Sequence, residues 1–148
     1  MTKTELLNHH RQIVKALKQN KRKAIGQMRD KYYGRCCLRV AEDYCMVNSE
    51  GKVSRGLHNS APHWSMSEWL GCDHSYRLKV GTGKSAINVS ADGLNDEYGV
   101  PHAVIAEFWA NTFVHPTKPR LTPRARKIAN KIIKYIKGEQ LSLNKNII

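Results

Sequence analysis

Acidic residues are scarce in this chain of 148: 12 Asp and Glu stand against 25 Lys and Arg, so the formal net charge is +13. Long apolar runs are missing, and none approaches the roughly 20 residues that a helical membrane span needs. The N-terminus lacks the apolar core of a secretory signal, because Lys3 and Glu5 lead at once into an amphipathic segment. A protein without a membrane span, in the cytoplasm, is expected. Cysteines number only four, and vicinal Cys36 and Cys37 are poorly placed to pair with each other or both to reach Cys45 and Cys72. Reduced thiols are expected rather than a disulfide scaffold. A zinc site drawn from Cys36, Cys37, Cys45, Cys72 and His74 is the alternative, but no Cys-x-x-Cys pair is present, so neither metal nor cofactor is expected. A phosphate-binding P-loop is excluded too. Gly83-Lys84-Ser85 has Leu78 where the first glycine belongs, and a strand-like pattern follows where a helix should open.

What is present is positive charge, concentrated at the two ends. Residues 1–40 carry eleven Lys and Arg against two acids, residues 112–148 carry nine against one, and the middle carries five against nine. Such asymmetry points to one or two positive faces and a polyanionic partner. Near the N-terminus the cations are Lys21, Arg22, Lys23, Arg29, Lys31 and Arg35, with Tyr32 and Tyr33 among them. Aromatic faces beside cations can stack a base, so this run is read as a phosphate and nucleic-acid contact. Near the C-terminus Arg124, Arg126, Lys127, Lys131 and Lys134 surround an apolar stripe of Ala125, Ile128, Ala129, Ile132, Ile133 and Ile136.

The periodicities predict an α+β, helix-rich single domain over 1–138, a chain length ordinary for one core, with a frayed tail over 139–148. The first helix spans 4–19, capped by Thr4, with Leu6, His10, Ile13, Val14 and Leu17 on its apolar face. A second, over 36–47, buries Cys37, Val40, Ala41 and Tyr44. Residues 48–61 are turn-rich, with a hairpin around Glu50-Gly51, and 64–70 fit a short helix with Ser65 as cap and Glu68 completing a capping box. Strands over 76–80 and 86–90 flank a turn at 81–84 and form a small antiparallel β-hairpin. A loop over 92–99 precedes a central helix over 101–114, for which Asn95 and Asp96 are the expected caps. A Pro-broken connector then leads to a basic C-terminal helix with Thr122 as cap, Pro123 at its first position and Gly138 beyond its end.

Three short motifs also carry a resemblance. Cys36-Cys37-Leu38-Arg39-Val40, Trp69-Leu70-Gly71, and Leu94-Asn95-Asp96 with Gly99 and Ile105-Ala106 together resemble an uncharacterised group of small phage and prophage proteins. Arg39 replaces the usual Gly, Glu42 the usual third Cys, and His102 stands where an aromatic is usual. The resemblance implies a phage-like origin and no mechanism.

The leading expectation is a non-catalytic accessory protein whose basic ends engage the phosphates of nucleic acid or a nucleotide, modulating host processes or defence, in the host cytoplasm if phage-encoded. A possible ligand pocket is read from Cys36, Cys37, Asn95, Asp96 and His102. Two alternatives stay open. An enzyme would use Cys36 or Cys37 as nucleophile with His102 or His74 as base, or Asp96 as general base on a phosphate-containing substrate. A host-protein antagonist would use the basic surface to occupy a nucleic-acid-binding cleft.

Overall fold

Eight residues from His102 to Trp109 form helix α5 and bury six of their side chains: His102, Val104, Ile105, Ala106, Phe108 and Trp109. A helix apolar nearly all round belongs inside a core, and the other elements pack around it. The computed structural model describes residues 2–19, 36–45, 65–73 and 75–138. Within them the order is α1 (Lys3–Gln19), α2 (Cys37–Cys45), α3 (Ser65–Leu70), β1 (Arg77–Val80), β2 (Ile87–Ser90), α4 (Ala91–Asp96), α5 and α6 (Pro123–Ile136). The architecture is α+β and helix-rich, as the periodicities predict. The basic run Lys21, Arg22, Lys23, Arg29, Lys31, Tyr32, Tyr33 and Arg35 lies outside the described residues. So do the expected hairpin at Glu50-Gly51, the side chains of Tyr44, Cys45 and Ser65, His74, and the 139–148 tail.

Helix α1 packs on α2 and α5 through His10, Ile13, Ala16 and Leu17. Its start differs from the expectation. Thr2, not Thr4, is the cap: its hydroxyl accepts from Glu5 N–H at 3.1 Å, and the Glu5 carboxylate accepts from Thr2 N–H at 3.0 Å. This reciprocal pair satisfies two free donors at once and needs an acid three residues on, which Thr4 does not have.

Strands β1 and β2 pair antiparallel, Leu78 opposite Val89 and Val80 opposite Ile87. Tyr76, Leu78, Val80 and Val89 turn inward. The connection contains a 3₁₀ turn at Gly83–Ser85, and Gly81 enters it at φ 94. Thr112 ties the hairpin to the core, its hydroxyl accepting from Lys79 N–H at 2.7 Å and donating to the Phe108 carbonyl at 2.7 Å.

Two predictions about the centre need correction. The expected loop at 92–99 begins as helix α4. Ser90 caps it, accepting from Gly93 N–H at 3.2 Å, and Leu94 and Asn95 are fully buried. Six residues are too few to form a helix on propensity alone, so packing supplies the stability that Asp92, Gly93 and Asn95 do not. The central α-helix also ends at Trp109 and continues as a π turn over Ala110–Val114, with His115 N–H reaching back to the Ala110 carbonyl at 2.9 Å. Pro101 precedes the helix as its N-cap residue, with φ −59 and ψ 146.

Helix α6 matches its prediction closely. Thr122 Oγ1 accepts from Ala125 N–H at 3.3 Å, Pro123 opens the helix, and Gly138 follows at φ 74. Its apolar stripe is buried except for Ile136, which is 46% exposed where the pattern predicts burial. No helix of the described residues is long and apolar enough to cross a membrane.

Candidate nucleic-acid interface

The residues expected to line a pocket do come together in part, but Cys36, Cys37, Asn95 and His102 are buried in packing, and only Asp96 among the five is exposed. Asn95, fully buried, accepts from Cys37 N–H with its Oδ1 at 3.1 Å and donates from Nδ2 to Asp96 at 2.7 Å. Asn95 is therefore a cap, though not of the helix that follows it: it serves the first N–H of α2, 58 residues earlier in the chain. Cys37 is fully buried and donates its S–H to the Ala91 carbonyl at 3.3 Å, while Cys36 Sγ accepts from Arg39 N–H at 3.4 Å. Burial pushes the Cys36 thiol up, away from the thiolate that a nucleophile requires. Cys72 is pushed up to about 11 by burial, with Asp73 adding to it. His102 is 3% exposed at the start of α5. Among the described residues no cluster of three or more His, Cys, Asp and Glu could hold a metal.

Trp69-Leu70-Gly71 has an equally structural role. Gly71, at φ 64, ends α3: its N–H bonds the Glu68 carbonyl at 3.1 Å and Cys72 N–H bonds Ser67 at 3.1 Å, which is a Schellman closure. The remaining carbonyls, of Trp69 and Leu70, take ring N–H donors from His9 at 2.6 Å and His10 at 2.9 Å. His9 also stacks on Trp69 at 3.9 Å between ring centroids. The other nitrogen of His10 accepts from the Trp109 indole N–H at 2.9 Å. An indole can only donate and a carbonyl can only accept, so His10 must be the neutral Nε2–H tautomer. Burial lowers its pKa to about 4, consistent with that state.

Two open clefts lie elsewhere among the described residues. A groove of about 590 Å³ runs along α6, lined by Pro123, Arg126, Lys127, Asn130, Lys131 and Lys134, with Leu121 at its end. Positions 123, 126, 127, 130, 131 and 134 share one helical face, at about 100° per residue, opposite the buried Ala125, Ile128, Ala129, Ile132 and Ile133. No carboxylate belongs to the described lining of this groove, so four cations share one concave face. Arg124, exposed at the start of the same helix, lies outside that lining. No family model, curated protein or solved structure matches the chain.

A second cleft, of about 510 Å³, is lined by Lys18 at the end of α1, by Ala103, Glu107 and Ala110, and by His115, Arg120, Leu121 and Thr122 of the connector. Both clefts reach Leu121. The connector is fastened twice. Fully buried Asn111 accepts from Arg120 N–H at 3.1 Å and donates to the Arg120 carbonyl at 3.0 Å. Glu107 accepts from Thr122 N–H at 2.7 Å and from its hydroxyl at 2.8 Å. Glu107 and Asn111 are four residues apart, so helix geometry points both at the connector. The charge pattern finds the α6 face but misses Lys18, Glu107, Asn111, His115 and Arg120. The signal available for two of them is a carboxylate and an amide set at i and i+4 in an otherwise apolar segment.

Proposed function

We propose that the protein binds a phosphate-rich partner, nucleic acid or a nucleotide, through the basic face of α6, as a non-catalytic accessory protein acting in the cytoplasm. The observation that carries this reading is the groove lined by Arg126, Lys127, Lys131 and Lys134, with no carboxylate among its described lining residues. Cations clustered on one face, Arg126, Lys127 and Lys134 among them, gain when a polyanion neutralises them. The helix dipole adds little here, because the cations extend along the helix beyond its last turn. The motif resemblance supports a phage-related setting, with host processes or defence as the target. The packed thiols lend no support to a cysteine nucleophile.

The test is binding of DNA, RNA and nucleotides across a salt series by the wild type and by the variant Arg126→Gln, Lys127→Gln, Lys131→Gln, Lys134→Gln. Gln is a good helix former and these positions lie off the buried stripe, so the fold is expected to survive. Affinity for nucleic acid is expected to fall, and the slope of log K against log salt to flatten by about 0.7–0.9 for each lost phosphate contact. A loss of affinity without that regular change points instead to a protein partner. Unchanged binding and slope, or no binding of any of these ligands at low salt, would refute the proposal.

A further inference from the structure

The cleft bounded by α1, α5 and the connector differs in kind from the α6 groove. Its volume, about 510 Å³, is in the range of sites that enclose a small ligand. Ala103, Ala110 and Leu121 provide an apolar lining with little side-chain bulk, while Lys18, Arg120 and His115 bring basic groups around it. Among the described lining residues Glu107 contributes the one carboxylate. Its oxygens retain lone pairs beyond the two bonds from Thr122, so it can still accept from N–H groups. His115 Nδ1 is buried without a hydrogen-bond partner among the described residues. Such an atom is costly to leave unmet, and a ligand's polar group would satisfy it.

The cleft is also built before any ligand arrives. Asn111 holds the Arg120 backbone from both sides, Glu107 holds Thr122, and the π turn at Ala110–Val114 reshapes the wall between them. Irregular helical turns of this type are frequent at functional sites.

We infer that this cleft seats one unstacked nucleotide of a single-stranded nucleic acid, whose backbone continues over the cations of α6. The inference rests on the phosphate-binding reading of α6 and extends it. Two features select a strand. Leu121 lines both clefts, so a strand with one nucleotide seated in the first would carry its following phosphates towards Arg126 and Lys127, which a mononucleotide cannot do. A base within a duplex would first have to be unpaired and unstacked, at a cost that a single strand does not bear. The apolar part of the lining, Ala103, Ala110 and Leu121, accepts the base by van der Waals contact, which does not discriminate one base from another.

The experiment compares three labelled probes by fluorescence anisotropy: a short deoxythymidine oligomer, the same oligomer annealed to its complement, and thymidine monophosphate. Ala103→Leu fills the cleft from an exposed position without altering charge or adding an aromatic face on which a base could stack. The wild type is expected to prefer the single strand over the duplex, and Ala103→Leu to lower single-strand affinity about tenfold while leaving duplex binding and its salt slope unchanged. The pair Lys18→Gln and Arg120→Gln tests the same cleft without adding bulk, and is expected to reduce the same preference. The inference is overturned if folded Ala103→Leu and the Gln pair both keep the wild-type preference, or if the wild type binds duplex as tightly as single strand. Monophosphate binding as tight as the oligomer overturns the strand and assigns the cleft to a free nucleotide. In each of these cases the α6 variant still reports separately on the phosphate-binding reading, which fails if that variant binds with unchanged affinity and salt slope or if the wild type binds none of the ligands at low salt.

Discussion

Asn95 Oδ1 accepts a buried N–H at the start of α2, so Asn95→Ala leaves that donor without this acceptor and opens a small void beside Cys37. A stability loss of about 1–3 kcal/mol is expected from the unmet donor, read as a lower urea midpoint at unchanged m-value. An unaltered midpoint would show that the bond contributes nothing. His10 carries a second expectation, with a sign fixed by its tautomer. Its pKa is lowered to about 4 from the ordinary 6.5, so the unfolded chain takes up the proton first. Stability is therefore full above about pH 6.5 and falls as the pH drops towards 4, by up to roughly 3 kcal/mol. Below 4 this contribution is gone. Urea titrations across that range, on the wild type and on His10→Gln, check it: the variant is expected to lose this pH dependence.

At the scale of elements, the hairpin meets α6 at Gly81. Its φ of 94 is strained for an L residue, and an added Cβ would lie 2.9 Å from Ile133 Cδ1. Gly81→Ala is expected to cost about 1–2 kcal/mol from the backbone alone, and more if the Ile133 side chain cannot rotate away. Gly83 also has positive φ, 70, but a Cβ there would meet nothing within 4 Å. Gly83→Ala is therefore expected to shift the thermal midpoint less than Gly81→Ala, and equal shifts would show that the hairpin does not abut α6. The α6 helix itself divides into a buried stripe that holds the fold and a basic face that lies off it. That division is why the fourfold Gln variant is expected to separate binding from folding.

Across the whole molecule, the short motifs at residues 36–40, 69–71 and 94–96 converge on structural bonds rather than on an open site. Cys37 meets Asn95 and Ala91, and the carbonyls of Trp69 and Leu70 meet His9 and His10. His10 then links α3 to Trp109 of α5. Trp109→Ala removes a fully buried ring and leaves His10 Nδ1 without its donor. The expected cost is about 3–5 kcal/mol, visible as a drop in melting temperature. An unchanged melting temperature would place the central helix outside the cooperative core.

The helices α1 and α6, the hairpin and the basic face of α6 are legible along the chain, because each depends on a repeat within one element: apolar positions at helical spacing, alternation in a strand, a cap just before a helix. Charge is legible for the same reason, since it adds up locally. Helix α4 is not, because its few residues have weak propensity and are held by the burial of Leu94 and Asn95. Nor are the real partners of Asn95, His10, Glu107 and Asn111, which lie 58, 99, 15 and 9 residues away along the chain. Periodicity says which side of an element faces inward, whereas these pairings depend on how elements pack against one another. The same packing closes the expected pocket at Cys37 and Asn95 and opens a cleft between Lys18 and Arg120, a choice that only the tertiary structure makes.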